Sequence, residues 1–433
     1  MKTVKVGIVG FGTVGQATAQ LLAANADLIA ARSGVRLSVS AVCRRSAIPA
    51  EAVPAGARVY SSWSDVVSAP DVDIVVETMG GNGTAHEIVC QALRAGKPVV
   101  TANKSLIAAQ GDAIFALAAE KCLPVGIEAT TAGGIPIVRA LRESSSGDRV
   151  TKLYGVLNGT VNYILTRMES DGLEFETALA EAQRAGYAEA DPGLDIDGID
   201  AREKLCILAR MAFNARLHPD KIPVTGIRHV SQVDLQYARR LGGRIRLVGA
   251  AERQHDGIAV AVRPWLVPKD SMLGKVEGVF NAIFVEGERS GTQMFYGRGA
   301  GGAATSTAVV ADLIDIAQQL TTSNGNGSAP VQHPGFDLAP SLDLAPHGPC
   351  CGWYLRLTVR DRPGIIARVA TVLAEEEINI DSVLQEPHLP KERLSFVITV
   401  EPIAECTIGR AIARINQFDF LVEPVLLVRV SEG

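Results

Sequence analysis

The chain has 433 residues, 47% of them hydrophobic and 21% charged, with 42 Lys and Arg against 47 Asp and Glu and a formal net charge of -5. At roughly 150 residues per domain this predicts about three domains, and it excludes a small stapled module, a disordered chain and a fibrous repeat. No basic run offers a surface to nucleic acid or anionic lipid, so small-molecule chemistry is the expectation.

Residues 4–9 form a short β-branched run, 10–15 a glycine turn and 16–31 an Ala/Leu-rich segment with helical spacing, which predicts strand, loop and helix in succession. Residues 37–42, 73–77 and 98–101 read as further strands, with helical patterns at 84–95 and 105–120 between them. Strands alternating with helices predict a parallel, doubly wound sheet of the α/β class. No export signal precedes the first strand, and the longest uncharged apolar stretch, residues 299–311, is shorter than the roughly 20 residues a bilayer span needs. A soluble, cytoplasmic protein is the expectation, with neither membrane nor nucleic acid as partner. The seven cysteines, an odd number without ligand spacing, are expected to be reduced thiols.

Past Gly134 the pattern changes. Helical segments at 175–185 and 201–213 alternate with strand-like ones at 150–158, 258–266 and 282–286, which predicts an α+β domain that holds the substrate. Residues 321–349, rich in Ser, Asn, Gly and Pro, read as a linker. Beyond it, a strand (354–359), a turn (362–364), a helix (365–376), strands at 380–384 and 394–400, a helix (408–415) and a strand (421–430) give the βαββαβ order of a ferredoxin-like module. The expected domains are therefore 1–133 for the nucleotide, 134–320 for the substrate, the linker 321–349, and 350–433. A helix near 305–320 is expected to return to the nucleotide domain. A linker of this kind predicts a last module that folds independently, so that truncation before Trp353 leaves an active remainder.

Gly10-Phe11-Gly12-Thr13-Val14-Gly15 matches G-x-G-x-x-G where a strand ends and a helix begins. That context suits a pyrophosphate at the helix's positive end, although a plain strand-helix turn would carry the same pattern. The second strand ends not in the acid that holds an NAD ribose but in Cys43-Arg44-Arg45-Ser46, which favours an adenosine 2′-phosphate and hence NADP(H) over NAD(H). The alternative is a pair of solvated arginines. Thr101-Ala102-Asn103-Lys104 follows another strand, where ligands sit in open α/β sheets, so Lys104 is either at the reaction centre or an ordinary surface lysine. Glu128 opens a turn of small residues, 129–136, that could ligate a hard cation through oxygens or simply connect two elements. Five acids fall between Glu189 and Asp200, without the spacing of a calcium loop. Asp200 is expected to cap a helix that places Lys204 one turn later, an acidic pocket with one lysine that suits a substrate bearing an ammonium group and a carbinol. A solvated acidic loop with an i,i+4 pair is the plainer reading.

These segments, in this order, resemble homoserine dehydrogenase of the long bacterial type with a C-terminal ACT domain. The carrying motifs are residues 7–15, 101–104, 128–136, Leu-Asn-Gly-Thr-Val-Asn-Tyr-Ile-Leu at 157–165, Gly-Tyr-Ala-Glu-Ala-Asp-Pro to Asp-Gly-Ile-Asp-Ala at 186–201, and Gly-Arg-Gly-Ala-Gly at 297–301. Arg298 stands where the family usually has Pro, and Thr131 where it usually has Val. The resemblance implies a Rossmann-type nucleotide domain, an α+β substrate and dimerisation domain and an ACT regulatory domain, assembled as a homodimer or homotetramer. It also implies interconversion of L-aspartate 4-semialdehyde and L-homoserine in threonine and methionine synthesis.

On this resemblance Lys204 is the first choice for the proton donor and Lys104 the second, with Glu189, Asp200, Asp195, Tyr187 and Thr160 around the substrate. The cofactor would meet the 10–15 loop, Arg44, Arg45, Thr78, Asn103, Lys104, Gly299 and Gly301. A monovalent cation, commonly sodium, would meet Glu128, Thr131, Gly133 and Ile135. The segments 359–366 and 378–385 look like an ACT domain whose turn at Asp361 and Gly364, with Asn379 and Gln385, would hold an amino-acid effector, threonine being expected. Two other readings are a catalytically silent nucleotide and amino-acid sensor, and a dehydrogenase of another short amino-acid semialdehyde.

Overall fold

The computed structural model describes residues 2–322, 342–386 and 390–431. It divides into two compact units, Met1–Val150 with Glu203–Lys221 and Glu286–Leu342, and Thr151–Arg202 with Ile222–Val285 and Asp343–Gly433. Each is built on its own logic.

The first unit carries six parallel strands, β1 (Thr3–Val9), β2 (Arg36–Cys43), β3 (Arg58–Tyr60), β4 (Ile74–Glu77), β5 (Val99–Thr101) and β6 (Val125–Gly126), in the order β3-β2-β1-β4-β5-β6. Val and Ile runs suit strands covered on both faces, and Val6, Ile8, Ile74, Val75, Val76, Val99 and Val100 are all fully buried. The strand order reverses between β1 and β4, which opens a crevice at the carboxyl ends of those strands. The helix Gly302–Thr322 covers this sheet, its Val309, Leu313 and Ile316 packing in one apolar cluster with Val6, Ile8 and Val42.

The remaining strands are β7 (Val150–Val156), β8 (Gly243–Gln254), β9 (Gly257–Pro268), β10 (Phe280–Gly287), β11 (Gly291–Arg298), β12 (Cys350–Val359), β13 (Ile380–Gln385), β14 (Leu394–Ala404) and β15 (Leu426–Val430). Their sheet order is β11-β10-β7-β8-β9-β15-β12-β14-β13. The C-terminal βαββαβ module contributes β12 to β15, with helices Ile365–Glu375 and Glu405–Ile415.

This module shares a sheet with its neighbour. β15 pairs in parallel with β9, Arg429 opposite Trp265 and Val430 opposite Leu266. Charged groups are buried along the same junction. Arg356 on β12 lies 3.2 Å from the Asp234 carboxylate and donates to Ser231 Oγ and the His229 carbonyl, while Tyr354 donates its hydroxyl to Asp234. Asp234 and Arg356 are both buried, so each neutralises a charge that burial would otherwise make costly. Of the expected linker, residues 323–341 lie outside the described residues. Leu342 and Leu344 beyond them are bridged to Ala215 and Ile258, so the end of that segment is anchored.

No described helix is long and apolar enough to cross a membrane. The seven cysteines are free thiols, four of them buried.

Candidate functional site

The glycine turn uses its three glycines for three different reasons. Gly10 has φ +99°, and a Cβ there would lie 2.5 Å from the Thr78 carbonyl carbon. Gly15 packs the helix Thr13–Ala24 so closely that a Cβ would meet the Gly10 carbonyl at 2.5 Å. Around Gly12, the N-cap of that helix, a Cβ would find nothing within 4 Å and no side chain caps the helix. The first helical N–H groups are therefore open to an anion, and room for a diphosphate lies beside the one glycine whose missing side chain nothing else requires.

Phe11 is wholly buried and takes part through its backbone: its N–H and that of Gly10 both donate to the Cys43 carbonyl at the end of β2. That places the exposed Arg44 and Arg45 next to the turn. Thr78 donates its hydroxyl to the Gly10 carbonyl at 2.6 Å, tying the end of β4 to the same loop. The loop before Gly302–Thr322 also reaches it, since a Cβ on Gly302 would lie 3.0 Å from the Thr13 methyl, and Gly301 just ahead has φ +103°.

Asn103 caps the helix Lys104–Lys121, accepting from the Leu106 N–H at 3.1 Å and donating to the Gly81 carbonyl at 2.6 Å. Lys104 is half-buried at the start of that helix. Glu77, which reads in the sequence only as the end of a strand, turns out to organise this edge. It is fully buried, accepts from the Thr101 hydroxyl at 2.6 Å and the Met79 N–H at 2.7 Å, and is held above the usual carboxylate range by burial. Only its depth in the sheet distinguishes it from a solvated acid.

The Glu128 turn is equally buried. Its carboxylate accepts from the N–H groups of Val138 (3.1 Å) and Arg139 (2.7 Å), and burial raises its proton affinity. The Glu128 N–H in turn donates to Asp312, whose carboxyl burial pushes up to about 7. Ala132 and Gly133 both have φ +53°, and a Cβ on Gly133 would strike the Gly299 carbonyl carbon at 2.8 Å. The Ile135 N–H closes the turn onto the Ala132 carbonyl. Thr131 is buried with its Oγ1 lacking any hydrogen-bond partner, an orphan oxygen that fits a small hard cation better than a closed structural turn. Among the described residues no group of three or more His, Cys, Asp or Glu gathers as for a transition metal.

In the second unit the acidic stretch assembles around Asn158. Its Nδ2 donates to Asp195 at 2.7 Å and to Asp200 at 2.8 Å, although these residues lie 37 and 42 positions away. Thr160 donates to the Tyr187 carbonyl at 2.6 Å, and the Tyr187 ring lies against Tyr163 at 4.9 Å. Glu189 is exposed, its loop fixed by Gln183 donating to the Glu189 carbonyl. The helix runs Ile199–Phe213, so Asp200 lies inside its first turn and not at the cap. Gly198, with φ +82°, takes the capping position because its carbonyl already accepts from Arg202. Asp200 and Lys204 remain one turn apart on this helix and are each only 8% exposed. Within the first unit Ser105 donates to Glu203 at 2.7 Å, so the sequence neighbours of Lys104 and Lys204 meet. Sequence reading found the acids and passed over Asn158, whose signal is its place as an N-cap residue before Gly-Thr.

In the C-terminal module Gly364, φ +93°, precedes the helix Ile365–Glu375, and the Asp361 N–H is taken by the Lys391 carbonyl. Asn379 donates to Glu401, and Gln385 is exposed on β13.

The parallel sheet with its glycine turn at the switch point defines the first unit as a dinucleotide-binding fold. Comparison with known proteins narrows the class. Residues 10–124 match the homoserine dehydrogenase NAD-binding domain, 136–314 the homoserine dehydrogenase family and 353–419 the ACT domain. Homoserine dehydrogenase of Pseudomonas aeruginosa is 42% identical over 439 residues, covering 100% of both chains. The crystal structure of a homoserine dehydrogenase from Thiobacillus denitrificans superimposes with a TM-score of 0.92 at 40% identity, over 100% of this chain and 99% of that one. A hyperthermophilic archaeal homoserine dehydrogenase in complex with NADPH matches 74% of this chain and 98% of its own, with 31% identity and a TM-score of 0.63. The chain belongs to the homoserine dehydrogenase family.

Proposed function

We propose that this homoserine dehydrogenase reduces L-aspartate 4-semialdehyde to L-homoserine with NADPH in preference to NADH, in the cytosolic synthesis of threonine and methionine. The observation that carries the reading is the turn from Asp200 to Lys204. Burying a carboxylate and an ammonium one turn apart is costly unless they pair or meet a ligand, and such groups mark reaction centres. When bound, the reduced nicotinamide supplies a hydride to the aldehyde carbon. Lys204 donates a proton to the oxygen as charge develops there, with Lys104 as the second choice. Glu189, Asp195 and Asp200 hold the substrate's ammonium and hydroxyl ends, with Tyr187 and Thr160 shaping the pocket. Arg44 and Arg45 face the 2′-phosphate, and the related archaeal protein with NADPH supports that choice. Gly299 and Gly301 complete the cofactor loop.

A sodium ion fits the turn at Glu128, Thr131, Gly133 and Ile135, where it would bind through oxygens. The C-terminal module takes an amino-acid effector, threonine, at the turn of Asp361 and Gly364 with Asn379 and Gln385, and the protein works as a homodimer or homotetramer. Purified protein given aspartate semialdehyde and either reduced cofactor tests the reading: consumption of NADPH is expected, and no consumption of either cofactor would sink it.

A further inference from the structure

One amide bridges two carboxylates in the acid cluster of the second unit. Asn158 is 6% exposed and is the N-cap of the helix Gly159–Asp171, its Oδ1 accepting from the Val161 N–H at 2.8 Å. That bond fixes the orientation of the amide, because the flipped form would turn a carbonyl oxygen toward two carboxylates. Both N–H donors are then spent on acids from elsewhere in the sequence, 2.7 Å to Asp195 and 2.8 Å to Asp200.

The backbone that carries this amide is pinned on both sides. Asn281, itself buried, donates to the Leu157 carbonyl at 2.9 Å. A Cβ on Gly159 would lie 2.5 Å from the Val279 carbonyl, so no side chain fits and the strand-to-helix turn cannot retreat. Thr160 is tied to the Tyr187 carbonyl. Two carboxylates on separate elements repel one another, and a donor shared between them offsets that repulsion. A rigid two-pronged donor between them sets both their separation and their direction.

We propose that Asn158 is a positioning residue that fixes the carboxylates of Asp195 and Asp200 as a preformed grip for the polar ends of the amino-acid substrate. Its side chain bonds to Asp195, Asp200 and the Val161 N–H, so it acts through the two acids, and its removal should weaken the grip without altering nucleotide binding. This inference rests on the homoserine reading above.

Asn158 also caps a helix, and two substitutions separate the roles. Asn158→Asp keeps a capping oxygen of the same shape and loses both donors. Asn158→Ser keeps a capping hydroxyl, adds no charge and is too short to bridge the acids. Thermal unfolding would be measured for both, with KM for L-homoserine, KM for NADP and kcat determined separately. The expected result is a cooperative melt, KM for homoserine raised tenfold or more, KM for NADP within twofold, and a smaller fall in kcat. A folded Asn158→Ser protein with KM for homoserine unchanged would overturn the proposal, as would equal rises in both KM values. Asp200→Asn serves as the control: if it loses homoserine turnover while both Asn158 variants behave as the unaltered protein, the substrate reading stands and only the role of Asn158 falls. Absence of homoserine oxidation by the unaltered protein would overturn both.

Discussion

The glycine turn of the first unit leaves a helix terminus open and the acid cluster of the second gathers carboxylates, and the two are built from different parts. The turn is main chain: six consecutive residues, an uncapped helix terminus and the Cys43 carbonyl. The cluster is side chain, gathered from positions 158, 195 and 200. A main-chain site tolerates many side chains and fails only where a Cβ cannot fit. A side-chain site is sensitive to the loss of any one partner, because each group's geometry is set by the others.

The largest effect is expected where the second unit buries charge deepest. Arg356→Met leaves Asp234 without its cation, and loss of one partner of a buried pair costs about 3–5 kcal/mol. Urea unfolding should show a matching fall, while an unchanged midpoint would mean that the pair is dispensable. Truncation before Trp353 removes Arg356 together with the strand on the β9 edge, and a lower urea midpoint than that of the full chain is expected.

Next comes Lys204→Ala, which removes the proposed proton donor and should lower turnover about 10²-fold or more. Fluorescence titration with NADPH should register no change, since the glycine turn is untouched. Near-normal turnover would transfer the role to Lys104.

Arg44→Asp sharpens the comparison from the main-chain side, because the turn keeps its geometry while its neighbour changes sign. A tenfold shift in cofactor preference toward NADH, about 1.4 kcal/mol, is expected from the ratio of kcat/KM values. Equal use of both cofactors by the unaltered protein would remove the basis for it.

The smallest effect concerns Asp312, whose carboxyl burial raises to about 7. The native state then keeps a proton that the unfolded chain has released near pH 4, so this residue's contribution is full at low pH and is lost as pH rises through 7. Between pH 6 and 8 the loss amounts to about 1 kcal/mol. Asp312→Asn should remove that slope from the thermal midpoint while an amide oxygen still accepts from Glu128. An identical slope in the variant would assign the pH dependence elsewhere.

What the sequence by itself determined is whatever depends on neighbours along the chain. Consecutive glycines between a β-branched run and a helical one specify a turn, the alternation of strands and helices specifies the parallel sheet, and βαββαβ order specifies the last module. The i,i+4 relation of Asp200 and Lys204 is likewise local, and a helix that starts two residues earlier than expected preserves it. Tertiary structure alone decided the rest, because burial and long-range pairing leave no local trace. Glu77 and Asp312 look like ordinary acids until the sheet and its covering helix enclose them. Asn158 looks like a simple cap until the chain brings two carboxylates to its amide. The C-terminal module, read as independent behind a linker, is continuous with its neighbour because the free edge of β9 accepts β15, a pairing between residues more than a hundred positions apart that no local pattern records.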